Sequence, residues 1–336
     1  MKKIAPLFTL LAFIVFASCL HEIIYSDDTQ FAPYQQNPPF TLPDNSTFYQ
    51  NIPYDQHERN QLDIFLPAPS NGNSSPLLII IHGGGFVQGD KKQAYSSSYH
   101  RHLINNLLSK NIAVSTINYR YVDDNGGIMR SINDCKRALQ FIKHHRDSLG
   151  INSSKIILMG SSAGAGTALY IGLSSDLADL TSAEPILHQS TQVLGVIGTE
   201  TQATYDIAKW DQLVFSTYQT LGFNHQDIIS IIGKSRIEQY LGAKDTDVNS
   251  DETWGSHLDI LSLMTTDDPE IYIANQKIAN SVPTNSSELY HHPLHAKVLM
   301  DKAKEAGLSS RFYIPELDID TRDEESIEDF ILRKLL

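Results

Sequence analysis

Ile156-Ile157-Leu158-Met159-Gly160-Ser161-Ser162-Ala163-Gly164 is an apolar, strand-like run that breaks into small residues and opens a helix-compatible stretch. A serine hydroxyl becomes a useful nucleophile only when it is held exposed and rigid, and a tight strand-to-helix turn does this where its neighbours are small. Ser162 stands at the centre of such a turn and is the expected nucleophile. About eighty residues earlier, after the apolar segment Leu77–Ile81, comes His82-Gly83-Gly84-Gly85-Phe86. Backbone N–H groups reach the oxyanion of a tetrahedral intermediate only where no side chain blocks them, so the glycine run is the complementary half of an acyl-transfer site.

Outward from these two motifs, strand-like and helix-like segments alternate. Strands are expected at Thr47–Tyr54, Gln61–Leu66, Leu77–Ile81, Ile112–Ile117, Lys155–Met159, Val193–Ile197, Glu270–Ala274 and Arg311–Ile314, with helices near 98–110, 128–146, 163–173 and 326–336. Such alternation predicts an α/β protein with a mostly parallel central sheet, helices on both faces and ligands at the carboxyl ends of the strands. Residues 46–336 form one domain in this reading. Residues 200–268 exceed a connecting loop and carry helical patterns at 226–233 and 235–241, so they are expected as an inserted, cap-like segment over the strand ends.

The N-terminus reads as an export signal. Lys2 and Lys3 precede an apolar run from Ile4 to Val15 and the small residues Ala17-Ser18 before Cys19. The pattern resembles a bacterial lipoprotein signal. It implies a signal peptide at 1–18, lipidation of Cys19, and a membrane-anchored protein of the bacterial cell envelope, at the outer membrane or the periplasmic face. Residues 19–45, rich in Gln, Asn, Pro and Asp, form a tether and lead-in. The chain carries a net charge of −13, and the loss of Lys2 and Lys3 makes it more negative. A nucleic-acid partner is disfavoured, because phosphate binding needs a basic face. Cys135 sits on the apolar stripe of a helical pattern and reads as a buried structural thiol. No CxxC or HExxH spacing suggests a metal, and no cofactor is expected. Four Asn-x-Ser/Thr tripeptides, at Asn45, Asn73, Asn152 and Asn285, are read as chance matches.

With both motifs placed, the chain resembles an α/β-hydrolase of the carboxylesterase and hormone-sensitive-lipase-like group, and is similar to polysaccharide-associated esterases carrying HGGG. The resemblance implies that Ser162 is the nucleophile and that the N–H groups of Gly84, Gly85 and Ala163 form the oxyanion hole. It also implies that His82 shapes its loop and carries no proton. The substrate would be a small-molecule or glycan ester. In relatives the order is Ser, then Asp or Glu, then His, and here the pattern departs. The strand Glu270–Ala274 is followed by Asn275-Gln276, with no acid, and no histidine follows the last strand or stands anywhere after His295. The base is expected from Tyr290-His291-His292-Pro293-Leu294-His295, with His292 chosen over His291, and the supporting acid from Glu200 or Asp206, with Glu200 chosen. Two alternatives stay open. Asp318 could stand in the histidine's place, as a weaker base, or the fold could be catalytically silent and bind a ligand or glycan without turnover.

Overall fold

The computed structural model describes residues 30–69, 72–123, 125–242, 255–276 and 279–336. The signal segment and Cys19 lie outside the described residues. A nine-stranded sheet runs in the order β1-β2-β4-β3-β5-β6-β7-β8-β9. Its members are β1 Thr47–Pro53, β2 Gln61–Leu66, β3 Ser75–Ile81, β4 Ala113–Ile117, β5 Ile151–Ser161, β6 Gly195–Thr199, β7 Glu270–Ala274, β8 Ser310–Ile314 and β9 Ile319–Asp320. The ladder from β4 through β3, β5, β6 and β7 to β8 is parallel, while β1, β2 and β9 add antiparallel edges.

The central strands read as continuous apolar runs because both faces are covered. Alternate residues sort into two cores. Ile79, Ile81, Ile156, Leu158, Val196, Ile271 and Ile273 join the helices Gly127–His144, Ala163–Leu173 and Pro293–Ala306 on one face. Leu78, Val114, Ile157, Ile197 and Tyr272 pack on the other face against Leu103, Ile104, Leu107 and Leu108 of the helix Ser98–Ser109, and against Phe330, Ile331 and Leu335 of Ile327–Leu335. Cys135 is buried in the first core, a free thiol with a structural role. The lead-in is irregular but docked, since Phe31 is buried and meets Tyr49 and His145 edge-on at centroid distances of 6.2 and 5.5 Å.

Register positions the site. Ile81 pairs with Gly160, Gly160 with Gly198, and Thr199 with Ala274. The carboxyl ends of β3, β5, β6 and β7 therefore stop level, and the residues that follow them emerge side by side. The sixth strand begins and ends two residues later than its apolar pattern indicates. The ladder to β5 opens at Gly195 opposite Ile157, which leaves Glu200 as the first residue beyond the sheet. Residues 200–242 return over this edge. Tyr205, Ile207, Trp210 and Phe215 are buried against it, and the helices His225–Ile232 and Lys234–Leu241 follow.

Candidate active site

Ser162 adopts φ 53° and ψ −121° between β5 and the helix Ala163–Leu173. This is a conformation that side-chain-bearing residues rarely take, costing on the order of 1–3 kcal/mol. The surrounding small residues are obligatory. A Cβ at Gly160 would lie 2.2 Å from the Gly164 backbone, and one at Gly164 would lie 2.2 Å from the Ile81 carbonyl oxygen. The Ser162 N–H donates to Thr199 O at 2.8 Å and ties the elbow to the end of β6. Ala163 heads the helix, where first-turn N–H groups have no intrahelical acceptor.

The glycine loop wraps the other side of the serine. Gly84 and Gly85 take φ values of +108° and +58°, and a Cβ at Gly84 would fall 2.0 Å from Gln88 O. A Cβ at Gly83 would press on the Ser161 carbonyl and on Ser162 itself. His82 does what a loop-shaping residue should. Its Nδ1 lies 2.6 Å from Gly83 O, its ring stacks on Tyr119 at 4.3 Å, and burial lowers its pKa to about 4. It is a neutral spacer.

The three histidines of the 291–295 cluster have three different placements, and the geometry selects His291. Its Nε2 lies 2.8 Å from Ser162 Oγ. His292, the residue chosen from sequence, is instead the N-cap of the helix Pro293–Ala306. Its Nδ1 accepts the Leu294 N–H at 3.2 Å and its Nε2 donates to Ser281 O at 2.9 Å, so both nitrogens are committed away from the serine. His295 is fully buried, accepts the Ala203 N–H on Nδ1 at 3.2 Å and donates from Nε2 to Leu289 O at 3.0 Å. Burial holds its pKa down at about 3. His292 and His295 are scaffolding for the loop that presents His291.

Two side chains missed in the sequence hold that loop. Asn275, where relatives have their acid, is fully buried and donates from Nδ2 to His291 O at 3.0 Å. Gln202 donates from Nε2 to Tyr290 O at 2.8 Å. The signal for Asn275 was its place directly after β7, which is a site position even without a carboxylate.

Glu200 is buried at 5% exposure, turns away from β6 with φ 53°, and accepts the Gln276 N–H on Oε1 at 3.0 Å. It lines one cleft together with Ser162, His291 and the glycine loop. Asp206 is not in that cleft. It is buried in an ion pair with Lys209 at 3.2 Å, and burial raises its pKa. Asp318 is exposed in a left-handed turn between β8 and β9, and it too lies away from the cleft lining.

Two spaces meet at Ser162. A small, mostly apolar pocket of about 30 Å³ is walled by Phe86, Tyr205, Ile207, Trp210 and Tyr290. An open cleft of about 980 Å³ carries the polar groups Gln88, Gln93, Arg236, Ser286 and Ser287 beside the site. Among the described residues no group of three or more His, Cys, Asp or Glu side chains could hold a metal ion.

Residues 62–294, more than two thirds of the chain, match the sequence profile of the BD-FAE family, and the protein belongs to that family. A probable isoprenylcysteine alpha-carbonyl methylesterase of Arabidopsis thaliana is 31% identical over 121 residues, which are 36% of this chain and 27% of that protein. A probable carboxylesterase of the same plant is 26% identical over 140 residues, covering 39% of this chain and 43% of that one. The chain thus spans less than half the length of these curated relatives. Among solved structures, a truncated carbohydrate esterase from gut microbiota superposes with a TM-score of 0.60 at 19% identity, covering 88% of this chain and 99% of that chain. An acetyl ester-xyloside bifunctional hydrolase from Caldicellulosiruptor lactoaceticus gives 0.51 at 16% identity, over 92% and 90%. These likenesses establish the α/β-hydrolase fold.

Proposed function

We propose that the protein is an exported serine esterase that cleaves carboxylic esters, including acyl or acetyl esters on polysaccharide, through an acyl-enzyme. The observation that carries this reading is the 2.8 Å contact between Ser162 Oγ, on a strained elbow, and His291 Nε2. Nucleophile and base at that separation are what acyl transfer requires.

In the proposed cycle His291 Nε2 takes the Ser162 proton as Oγ attacks the ester carbonyl. The N–H groups of Gly84, Gly85 and Ala163 receive the developing oxyanion. Collapse expels the alcohol, which takes the proton from His291, and water activated by the same imidazole then releases the acid. The resting imidazole must carry its hydrogen on Nδ1, and the buried carboxylate of Glu200 is the group assigned to hold that tautomer and stabilise the imidazolium. Asn275 fixes the His291 backbone and thereby the ring's approach. The apolar pocket suits a short acyl group, whereas the wide, polar cleft suits a sugar alcohol. Export and anchoring through Cys19 rest on the N-terminal pattern alone.

A fluorophosphonate probe tests the assignment directly. It is expected to label Ser162 and not Ser162→Ala, and p-nitrophenyl acetate hydrolysis should vanish with the label. An unlabelled, folded wild type would overturn the reading in favour of a silent binding fold.

A further inference from the structure

The cleft lining contains a single Arg or Lys among the described residues, Arg236 in the helix Lys234–Leu241. Its guanidinium donates to Gln239 Oε1 at 2.9 Å and lies 5.9 Å from the Tyr240 ring centroid. No carboxylate among the described residues forms an ion pair with it. That is unusual company for an arginine in a chain of net charge −13. A guanidinium offers five N–H donors in a planar fork, and one neutral amide oxygen uses only a fraction of them.

The position is also informative. Tyr240 lines both the cleft and the small apolar pocket, and its hydroxyl reaches Tyr290, the residue before His291. Arg236 lines the open cleft and not the small apolar pocket, so in the proposed reading it belongs to the space assigned to the alcohol. The hydroxyls of Ser286 and Ser287 line the same cleft. His82 and His100 also line it, and burial lowers the pKa of both.

We propose that Arg236 is the recognition point for a carboxylate on the alcohol part of the substrate, so that the preferred esters are those of acidic sugars, the uronates. The inference rests on the esterase reading for the term "alcohol part", but the anion site itself does not. A planar carboxylate matches the guanidinium fork in bidentate fashion, and one charge-assisted contact in a partly enclosed cleft is worth roughly ten- to hundredfold in binding or specificity.

The test is a ratio. Mono-acetylated methyl galacturonoside and mono-acetylated methyl galactoside differ at one carboxylate, and wild type is expected to favour the acidic ester in kcat/KM by about tenfold or more. Arg236→Gln should bring the ratio close to one, and Arg236→Lys should restore it in part. In parallel, calorimetry on Ser162→Ala with digalacturonate, a ligand that carries no ester, should show binding that Arg236→Gln abolishes. If no ester is turned over while that binding depends on Arg236, the esterase reading fails and the anion site stands. A wild-type ratio within twofold of one, or digalacturonate binding indifferent to Arg236→Gln, overturns the proposal.

Discussion

Replacing His291 and His292 separately by alanine divides the site's chemistry from its scaffolding. His291→Ala removes the nitrogen 2.8 Å from Ser162 Oγ. Positioned proton transfer contributes about 10²–10⁴-fold, equivalent to roughly 3–5 kcal/mol of barrier. Little stability should go with it, because the loop is held by its backbone, through Asn275 to His291 O and Gln202 to Tyr290 O. His292→Ala has the opposite profile. It deletes a helix cap worth about 1 kcal/mol and a bond to Ser281 O worth about 1 kcal/mol. It also opens a void beside Phe215, whose ring centre is 5.3 Å away. A loss of about 2–4 kcal/mol in unfolding free energy follows, with turnover per folded molecule within a few fold of wild type. The assay is kcat on p-nitrophenyl acetate normalised to the concentration of folded protein, paired with urea unfolding. A His291→Ala enzyme retaining more than a third of wild-type kcat, while Ser162→Ala is dead, would refute His291 as base.

Two further outcomes are expected. Glu200→Gln should lower kcat by about 10²–10⁴-fold, as the loss of a triad carboxylate does. Asn275→Asp, which restores an acid at the position usual in relatives, should impair the enzyme, because a carboxylate would face the His291 carbonyl where the Nδ2 donor now stands; kcat for both variants decides. In acid, His82 and His295 have folded pKa values depressed by burial to about 4 and about 3, so the unfolded chain binds more protons than the folded one once pH falls below about 6.5. Stability is therefore retained above that pH and lost as it falls, by about 2 kcal/mol per histidine between pH 7 and pH 5. Urea midpoints at the two pH values measure it, and a flat profile would contradict the buried, neutral placement.

What could be read from the sequence follows the range of the constraint. The elbow and the glycine loop were legible because their requirements are local: Gly160 and Gly164 have no space for a Cβ, and Gly84 has neither the space nor the backbone angle. The placement of Glu200 directly after a strand was legible, even though the strand ends two residues later than its apolar pattern. The histidine was not resolved, because neighbours in sequence point in unrelated directions once a helix begins between them. A usable signal did exist. Pro293 favours the first helical position and drives its predecessor into extended backbone, as His292 shows with φ −60° and ψ 137°. A residue placed so becomes the cap and folds back onto Leu294 N–H, which leaves His291 for the site. Asn275 was passed over because it was sought as an acid, and β9, two residues long, is below the reach of any periodicity.

The proposed triad keeps the usual order along the chain and departs in the strands that carry it. In relatives the acid follows the strand corresponding to β7 and the histidine follows β8. Here Ser162, Glu200 and the His291 loop follow β5, β6 and β7, three consecutive neighbours in the sheet. Adjacent strands lie about 4.8 Å apart, so an acid moved from β7 to β6 comes one strand spacing nearer the nucleophile. In the proposed triad, the imidazole that bridges them approaches from the loop after β7. In this reading the end of β7 carries an amide in place of the acid. Asn275 now touches the backbone of the residue carrying the base, a role for an N–H donor that a carboxylate cannot fill. The proposed triad also leaves free the segment after β8, where Asp318 turns in the left-handed region and the chain spends its residues closing the sheet edge with β9.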